Sequence, residues 1–273
     1  MRDAAPTEDH VPLMQDPAFA RALERCGQPV RRLSSGHILL TRRFAGVPVA
    51  MLPRAAPPPD LGVQLRSIGW HRRPVILSPE TPCFLPEALP LRGPTDRAVL
   101  ELAPDGATRL SRLHGKWRNQ LRRAGNAGLR ITAQRMRPGR DGDIFTLESR
   151  QRRARGYSGW PVGLTAAFAD VAPAQTLLLR ACRGREPLAH MLFLKHGSAM
   201  TYHMGHIAPE GRACAAHNLL LWEGMECCVR AGCTLLDLGV LDARTPGLNR
   251  FKLRTGAARV ATGGTWLYWR PFA

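Results

Sequence analysis

Three extended apolar segments follow one another with only short turns between them, and this constrains the fold more than any other feature of the chain. Leu177 to Cys182, Pro187 to Lys195 and Met200 to Gly205 are joined by Arg183-Gly184-Arg185-Glu186 and by His196-Gly197-Ser198. Polar, glycine-bearing connections of this length turn the chain back on itself, so the three segments read as an antiparallel meander. An irregular Ala208-Pro209-Glu210-Gly211 follows, then a helix from about Cys214 to Ala231 with Leu220, Met225 and Cys228 among its apolar positions. Thr234 to Leu238 reads as a short buried strand, Thr245-Pro246-Gly247 as a turn, Asn249 to Thr255 as a short helix, and Ala258 to Tyr268 as one or two closing strands. A meander, a crossover helix and further strands make an α+β sandwich.

The preceding part is less regular. Asp16-Pro17 opens a short capped helix that stops at Gly27. His37 to Arg43 and Val47 to Leu52 read as two strands across Ala45-Gly46. Pro53 to Asp60 is a Pro-rich loop, incompatible with helix or central strand, and Pro-punctuated sequence continues to about Pro94. Ala98 to Leu102 is a strand. Ala107 to Ala124 reads as one continuous helix, because Leu110, Leu113, Trp117 and Leu121 share a face. Leu129 to Gln134 alternates as a strand, and Ile144 to Arg155 and Leu164 to Val171 read as helices. No simple repeat is present.

Charge narrows the function classes. The 273 residues carry 39 Lys+Arg against 21 Asp+Glu, a net charge of +18. Between Arg109 and Arg155 stand 14 basic residues and three acidic ones, so this segment holds more than half of the excess. A surface of that sign suits phosphates, whether of a nucleic acid, a nucleotide-bearing donor or a phosphorylated substrate. Of the basic residues only Lys116, Lys195 and Lys252 are lysines. Where arginine is used so freely, a retained lysine points to a need for a compact, rotatable ammonium. The seven cysteines include no Cys-x-x-Cys pair, so they read as small thiols in a reducing compartment and supply no metal site. The acidic N-terminus lacks an apolar core, and no run of about 18 uncharged apolar residues occurs, which together predict a cytoplasmic chain without a signal peptide or spanning helix. Gly-x-Ser-x-Gly, P-loop and Gly-x-Gly-x-x-Gly motifs are absent.

Three places can carry chemistry. The small residues around Arg212, from Gly211 through Ala213, Cys214 and Ala215 to Ala216, stand where a strand gives way to a helix. Small side chains let a ligand approach the backbone, and a helix start offers unpaired N–H groups, so this turn is a candidate pyrophosphate cradle. Asp237 is a carboxylate towards the end of an otherwise apolar strand, placed to orient an amine or accept its proton. Lys252, beside Phe251, can stabilise an oxyanion or a phosphate. Tyr202 and His206 are further candidate proton carriers. His203 and His206 lie three apart on an extended strand, hence on opposite faces, which argues against a shared metal.

Two stretches carry a family resemblance. One is Lys116-Trp117-Arg118-Asn119-Gln120-Leu121-Arg122-Arg123-Ala124 with Gly128-Leu129. The other runs from Tyr202-His203-Met204-Gly205 through Gly232-Cys233-Thr234-Leu235-Leu236-Asp237-Leu238-Gly239 to Gly247-Leu248-Asn249-Arg250-Phe251-Lys252 and Gly256-Ala257. Their order and spacing resemble the FemAB-like branch of the GNAT acyltransferase superfamily. The resemblance implies a GNAT-like fold in two halves, a degenerate one over residues 1–105 and an acyltransferase half over 106–273. It implies transfer of an acyl group to an amine by direct attack, with Phe251 and Lys252 at the site and Asp237 closing the adjacent strand. It places the coenzyme A pyrophosphate at Gly211 to Ala216, where this chain has Arg212-x-x-Ala215-x-His217 in place of the usual Gln/Arg-x-x-Gly-x-Gly/Ala.

The expected activity is therefore N-acyl transfer, with acetyl-CoA or another acyl-CoA as donor, an amine-bearing small molecule or peptide as acceptor, and no metal. Lys116, Arg118 and Arg122 are expected to contact substrate. Two alternatives stand beside it. One is transfer from an aminoacyl-tRNA held by the 109–155 segment. The other is a non-catalytic GNAT-like module that binds nucleic acid or another polyanion.

Overall fold

A computed structural model describes residues 10–157 and 159–272. Met1 to Asp9, on which the reading of the N-terminus largely rests, lie outside the described residues. In chain order the strands are β1 (Val30–Arg32), β2 (Ile38–Phe44), β3 (Val47–Pro53), β4 (Val75–Ser78), β5 (Leu89–Arg92), β6 (Asp96–Glu101), β7 (Arg130–Gln134), β8 (Thr176–Arg183), β9 (Glu186–His196), β10 (Ala199–Ile207), β11 (Leu235–Val240), β12 (Ala258–Ala261) and β13 (Thr265–Tyr268). The helices are α1 (Pro17–Arg25), α2 (Leu61–Ser67), α3 (Gly106–Arg112), α4 (Gly115–Gly125), α5 (Asp143–Arg155), α6 (Val162–Val171), α7 (Pro209–Ala213), α8 (Ala216–Arg230) and α9 (Pro246–Leu253).

The chain divides into two compact units, one of residues 12–97 and 260–272, the other of residues 98–259 with residues 10–11. The sequence reading placed a single boundary at residue 105. The structure differs in that the C-terminal strand joins the first unit. Ala258 to Tyr268 supplies two strands to two different sheets: β12 stands at an edge beside β6, and β13 inserts between β4 and β5.

In the first unit the sheet order is β1-β2-β3-β4-β13-β5. β3 and β4 are parallel, so a crossover is required, and α2 supplies it within the Pro-punctuated stretch that gave no periodic signal. Its core gathers Leu33, Leu39, Ala50, Leu52, Leu61, Leu65, Trp70, Val75, Leu77 and Tyr268.

In the second unit the order is β12-β6-β11-β10-β9-β8-β7. The meander β8–β9–β10 is antiparallel, as the short turns require. β10 and β11 are parallel and joined by α8. Phe193, Met191, Leu179, Leu220, Met225 and Leu236 lie in one cluster with Trp117 and Leu113. Gly224 of α8 makes the helix–sheet approach possible, because a Cβ there would lie 2.7 Å from Phe193 Cζ.

Two local readings are corrected. The expected helix over Ala107 to Ala124 is two, α3 and α4. Leu113 turns into the core, its neighbour His114 N-caps α4 by accepting the Lys116 N–H at Nδ1, and the His114 N–H bonds to Arg254 O at 2.9 Å. Leu110, which shares the apolar spacing, is 42 % exposed. The stretch Ala208 to Gly211, read as irregular, contains the start of the short helix α7, opened by Pro209.

Candidate active site

β10 and β11 pair only over Ala199↔Leu235, Met200↔Leu236 and Thr201↔Asp237. Beyond that point both strands continue, to Ile207 and Val240, without pairing to each other. β10 there keeps β9 on one edge and opens main-chain groups on the other. A bulge at the same place reinforces the opening: Tyr202 pairs with Phe193, but Met204 already pairs with Leu192. The bulge breaks the strict alternation assumed for His203 and His206. Each ring has its own neighbours. His203 Nε2 lies 2.9 Å from Thr165 Oγ1 and its ring packs on Trp160, while His206 stacks on His190 at 5.9 Å. Among the described residues no group of three or more His, Cys, Asp or Glu side chains gathers as a metal site.

Asp237 and Lys252 both stand at the β11 side of the opening, close enough for the carboxylate to act on the ammonium electrostatically. The Lys252 side chain runs back from α9 and Nζ donates to Val240 O at 2.8 Å. Asp237 Oδ1 accepts the Gly239 N–H at 2.8 Å, which bends the strand end around the carboxylate. Lys252 is 6 % exposed, and burial lowers its pKa to about 8 against the opposing attraction of Asp237. Phe251 is half-buried, 6.0 Å from the Trp117 ring and 6.4 Å from His217. The Phe-Lys pair is thus held by α4, α8 and the end of β11 together.

On the β10 side, the Tyr202 ring lies 5.7 Å from Phe193 and its hydroxyl sits over Gly205, where an added Cβ would be only 2.5 Å away. Burial raises the Tyr202 pKa, so the phenol stays protonated. His217 Nε2 donates to His206 O at 3.0 Å, which fixes its tautomer, and burial pushes its pKa down to about 4. His206 is also lowered, by burial first and then by Arg155 and Arg212, so its ring is neutral at neutral pH.

The turn from Gly211 to Ala216 is more filled than the sequence suggests. Gly211 packs against β9, with an added Cβ 2.6 Å from Leu188 O. Cys214, Ala215 and Ala216 are buried, and Arg212 and Ala213 are exposed. Ala215 takes a left-handed conformation, φ 56°, and opens α8. The first N–H groups of α8, at Ala216 and His217, precede any intrahelical bond, and Arg212 is the cation beside them. On α4, Lys116 and Arg122 are exposed, and Arg118 is half-buried with Nη1 donating to Ser111 O. Arg109, counted in the basic segment, is a core residue paired with Glu226 at 2.6 Å.

A polar chain that the motif reading missed faces β10 from α5. Tyr157 Oη donates to the buried Glu148 at 2.9 Å, and Gln151 Nε2 donates to Tyr157 Oη at 3.0 Å and to Gly205 O at 3.1 Å. The signal available was Glu148 itself, an acid kept within a strongly basic helix. The other two acids of that segment, Asp141 and Asp143, are both paired with Arg180, and its hydrogen bond lowers the Asp143 pKa.

Comparison with known proteins places these elements. A family model described as an acetyltransferase (GNAT) domain matches residues 111–253, more than half of the chain, from α3 to the end of α9. No curated protein matches the sequence. FemX matches in structure with a TM-score of 0.74 at 12% identity, covering 95% of this chain and 92% of FemX. The C-terminal domain of a putative lysylphosphatidylglycerol synthetase from Agrobacterium fabrum gives 0.61 at 14% identity, over 93% and 88% of the two chains. A tandem GNAT protein from the clavulanic acid biosynthesis pathway gives 0.52 at 13% identity, over 85% and 78%. The fold is thus a two-half GNAT-like fold, and no helix among the described residues is long and apolar enough to cross a membrane. The chain belongs to the acetyltransferase (GNAT) domain family and is an acyl-transferring enzyme, and it shares its two-half fold with FemX.

Proposed function

We propose that the enzyme transfers an acyl group from an acyl-CoA thioester to a primary amine by direct attack in the opening between β10 and β11. The observation that carries this reading is the gathering of Lys252, Asp237 and Phe251 at the end of β11, opposite the bulged, half-unpaired edge of β10. The amine nitrogen attacks the acyl carbonyl, a C–N bond forms, and the C–S bond breaks. The Lys252 ammonium stabilises the oxygen that gains charge. Neutral His206 takes the proton lost by the amine, and the protonated Tyr202 supplies one to the departing sulfur. Solvent returns the proton from His206 to Tyr202. Arg212 and the start of α8 hold the donor's pyrophosphate, and the α5 chain of Glu148, Tyr157 and Gln151 orients the acceptor amine.

A second reading takes an aminoacyl-tRNA as donor, because Lys116, Arg122, Arg123, Arg150, Arg153 and Arg155 stand exposed along α4 and α5. Thermal unfolding with acetyl-CoA, longer acyl-CoAs, free CoA and bulk tRNA, each at low and moderate salt, separates the two. A native-state ligand raises the midpoint by mass action. The proposal expects a salt-resistant shift with acyl-CoA. A shift with tRNA alone, fading as salt rises, replaces it with the second reading. In transfer assays Lys252→Ala is expected to lower turnover by roughly a hundredfold, the scale of losing one oxyanion-stabilising group.

A further inference from the structure

The β2–β3 hairpin of the first unit carries a surface that the transfer chemistry does not use. Ala45 and Gly46, both at positive φ, make a tight turn, and the cross-strand pair beside it is Phe44↔Val47. Both side chains are uncovered: Phe44 is 79% exposed and Val47 51%. The register continues as Arg43↔Pro48, Arg42↔Val49, Thr41↔Ala50 and Leu40↔Met51. Alternation puts Arg43 and Pro48, exposed and half-buried near the tip, on the same face as Thr41 and Ala50. Thr41 and Ala50 are buried, whereas Phe44, Val47, Arg42, Val49, Leu40 and Met51 share the opposite face, from a fully exposed tip to a half-buried base.

Charge identifies the occupant. From Arg25 to Pro59 the chain contains six arginines and no aspartate or glutamate. Arg42 and Arg43, next to the tip, are exposed. An aromatic and a valine at the end of a rigid two-stranded arm, backed by a valine and a methionine and flanked by guanidinium groups, present apolar side chains to a hydrocarbon layer and cations to its phosphates at one depth. A nucleic acid would be met by a platform of several aromatic rings. The tip has one ring, and the remainder of its face is aliphatic.

We propose that this hairpin docks the protein on an anionic phospholipid surface, with Phe44 and Val47 entering the acyl boundary and Arg42 and Arg43 at the headgroup phosphates. The proposal is independent of the donor and the acceptor of the transfer reaction.

The test uses the full chain and vesicles of phosphatidylcholine alone or mixed with phosphatidylglycerol. Sedimentation is expected to recover the protein with the mixed vesicles and to leave it in solution with phosphatidylcholine. The charge-neutral double variant Phe44→Ser/Val47→Ser is expected to weaken binding roughly tenfold or more, as loss of an apolar anchor does. Arg42→Gln and Arg43→Gln are each expected to weaken it about fivefold, the factor for one cation near an anionic surface. These positions are exposed, and unchanged thermal midpoints verify that the variants fold. A Phe44→Trp variant is expected to be quenched by brominated acyl chains beyond the quenching seen with the native tryptophans. Mixed-vesicle binding that Phe44→Ser/Val47→Ser leaves intact, or absence of added quenching, overturns the proposal and assigns vesicle binding to net charge elsewhere. Retention on single-stranded RNA that the tip variant abolishes, with no vesicle binding, overturns it in favour of a nucleic-acid contact.

Discussion

Lys252 is a charge kept where charge is costly. With 6% of its surface exposed it titrates near about 8 in the folded chain, against an ordinary value of 10.5. Below about 8 both states hold the proton, and the folded state carries the full desolvation cost. Between about 8 and 10.5 the unfolded chain binds the extra proton, so stability rises with pH across that window, by about 3 kcal/mol in total. Replacing the ammonium by an isosteric apolar chain removes that cost, and the residue that loses the donor, Val240, lies at the half-exposed end of β11. Lys252→Met is therefore expected to raise unfolding stability at neutral pH by about 1–3 kcal/mol while suppressing turnover. Urea unfolding at pH 7 and pH 10 checks the first part, since the advantage of the variant must shrink at the higher pH. A variant less stable than the parent at pH 7 would make Lys252 a structural residue. Sequence reasoning singles out this residue because two facts are local: it is one of three lysines, and it follows a phenylalanine. It did not find Glu148, Gln151 and Tyr157, whose meeting with Gly205 spans 54 positions between Gln151 and its partner and leaves no motif.

At the scale of an element, β10 does most to shape the site, and its sequence conceals how. Met200 to Gly205 reads as an ordinary third strand of a meander. The bulge at Tyr202 and Met204 and the loss of pairing to β11 after Thr201 depend on neighbours that no strand sequence encodes by itself. The same limit explains the split between α3 and α4. Leu110, Leu113, Trp117 and Leu121 keep helical spacing across a break set by a tertiary bond from His114 to Arg254. Gly205 is the residue through which the β10 geometry can be tested. An added methyl would sit 2.5 Å from Tyr202 Oη, 3.2 Å from its ring and 2.9 Å from His190 O. Gly205→Ala is expected to destabilise by about 2–3 kcal/mol through overpacking and to reduce turnover by displacing Tyr202. Tyr202→Phe removes the nearest of the three contacts. The double variant Tyr202→Phe/Gly205→Ala is thus expected to lose less stability than the sum of the single losses, by roughly 0.5–1 kcal/mol, as coupled neighbours do. Additive losses in denaturant unfolding would mean that the carbonyl of His190 alone sets the strain.

Over the whole molecule, what was legible was what is consecutive. The meander, the crossover helix, the strand carrying Asp237 and the helix carrying Lys252 all occur in sequence order, and their assignment from periodicity holds to within a few residues. The first unit is different, because its sheet is completed from the far end of the chain. β13 pairs with β4 through Trp266↔Leu77, Leu267↔Ile76 and Tyr268↔Val75, and with β5 through Trp266↔Pro90 and Leu267↔Leu89. Local alternation marks Thr265 to Tyr268 as a strand without naming partners nearly two hundred residues away. The pairing makes Tyr268 an interior part of that unit: it is 5% exposed and belongs to the cluster of Leu52, Leu65 and Leu77. Ending the chain after Thr262 would remove β13, leave β4 with an open edge, strand β5 without a neighbour and uncover the side chains that Tyr268 buries. Loss of that one aromatic ring from a core costs about 3–5 kcal/mol, a large share of the stability of a domain of this size. The truncated chain is expected to become protease-sensitive throughout residues 12–97 while residues 98–259 persist as a resistant fragment. Limited proteolysis followed by mass determination reads this directly. Equal resistance of both regions would show that β13 is dispensable to the first unit, and cleavage throughout both would show that the second unit has no independent stability.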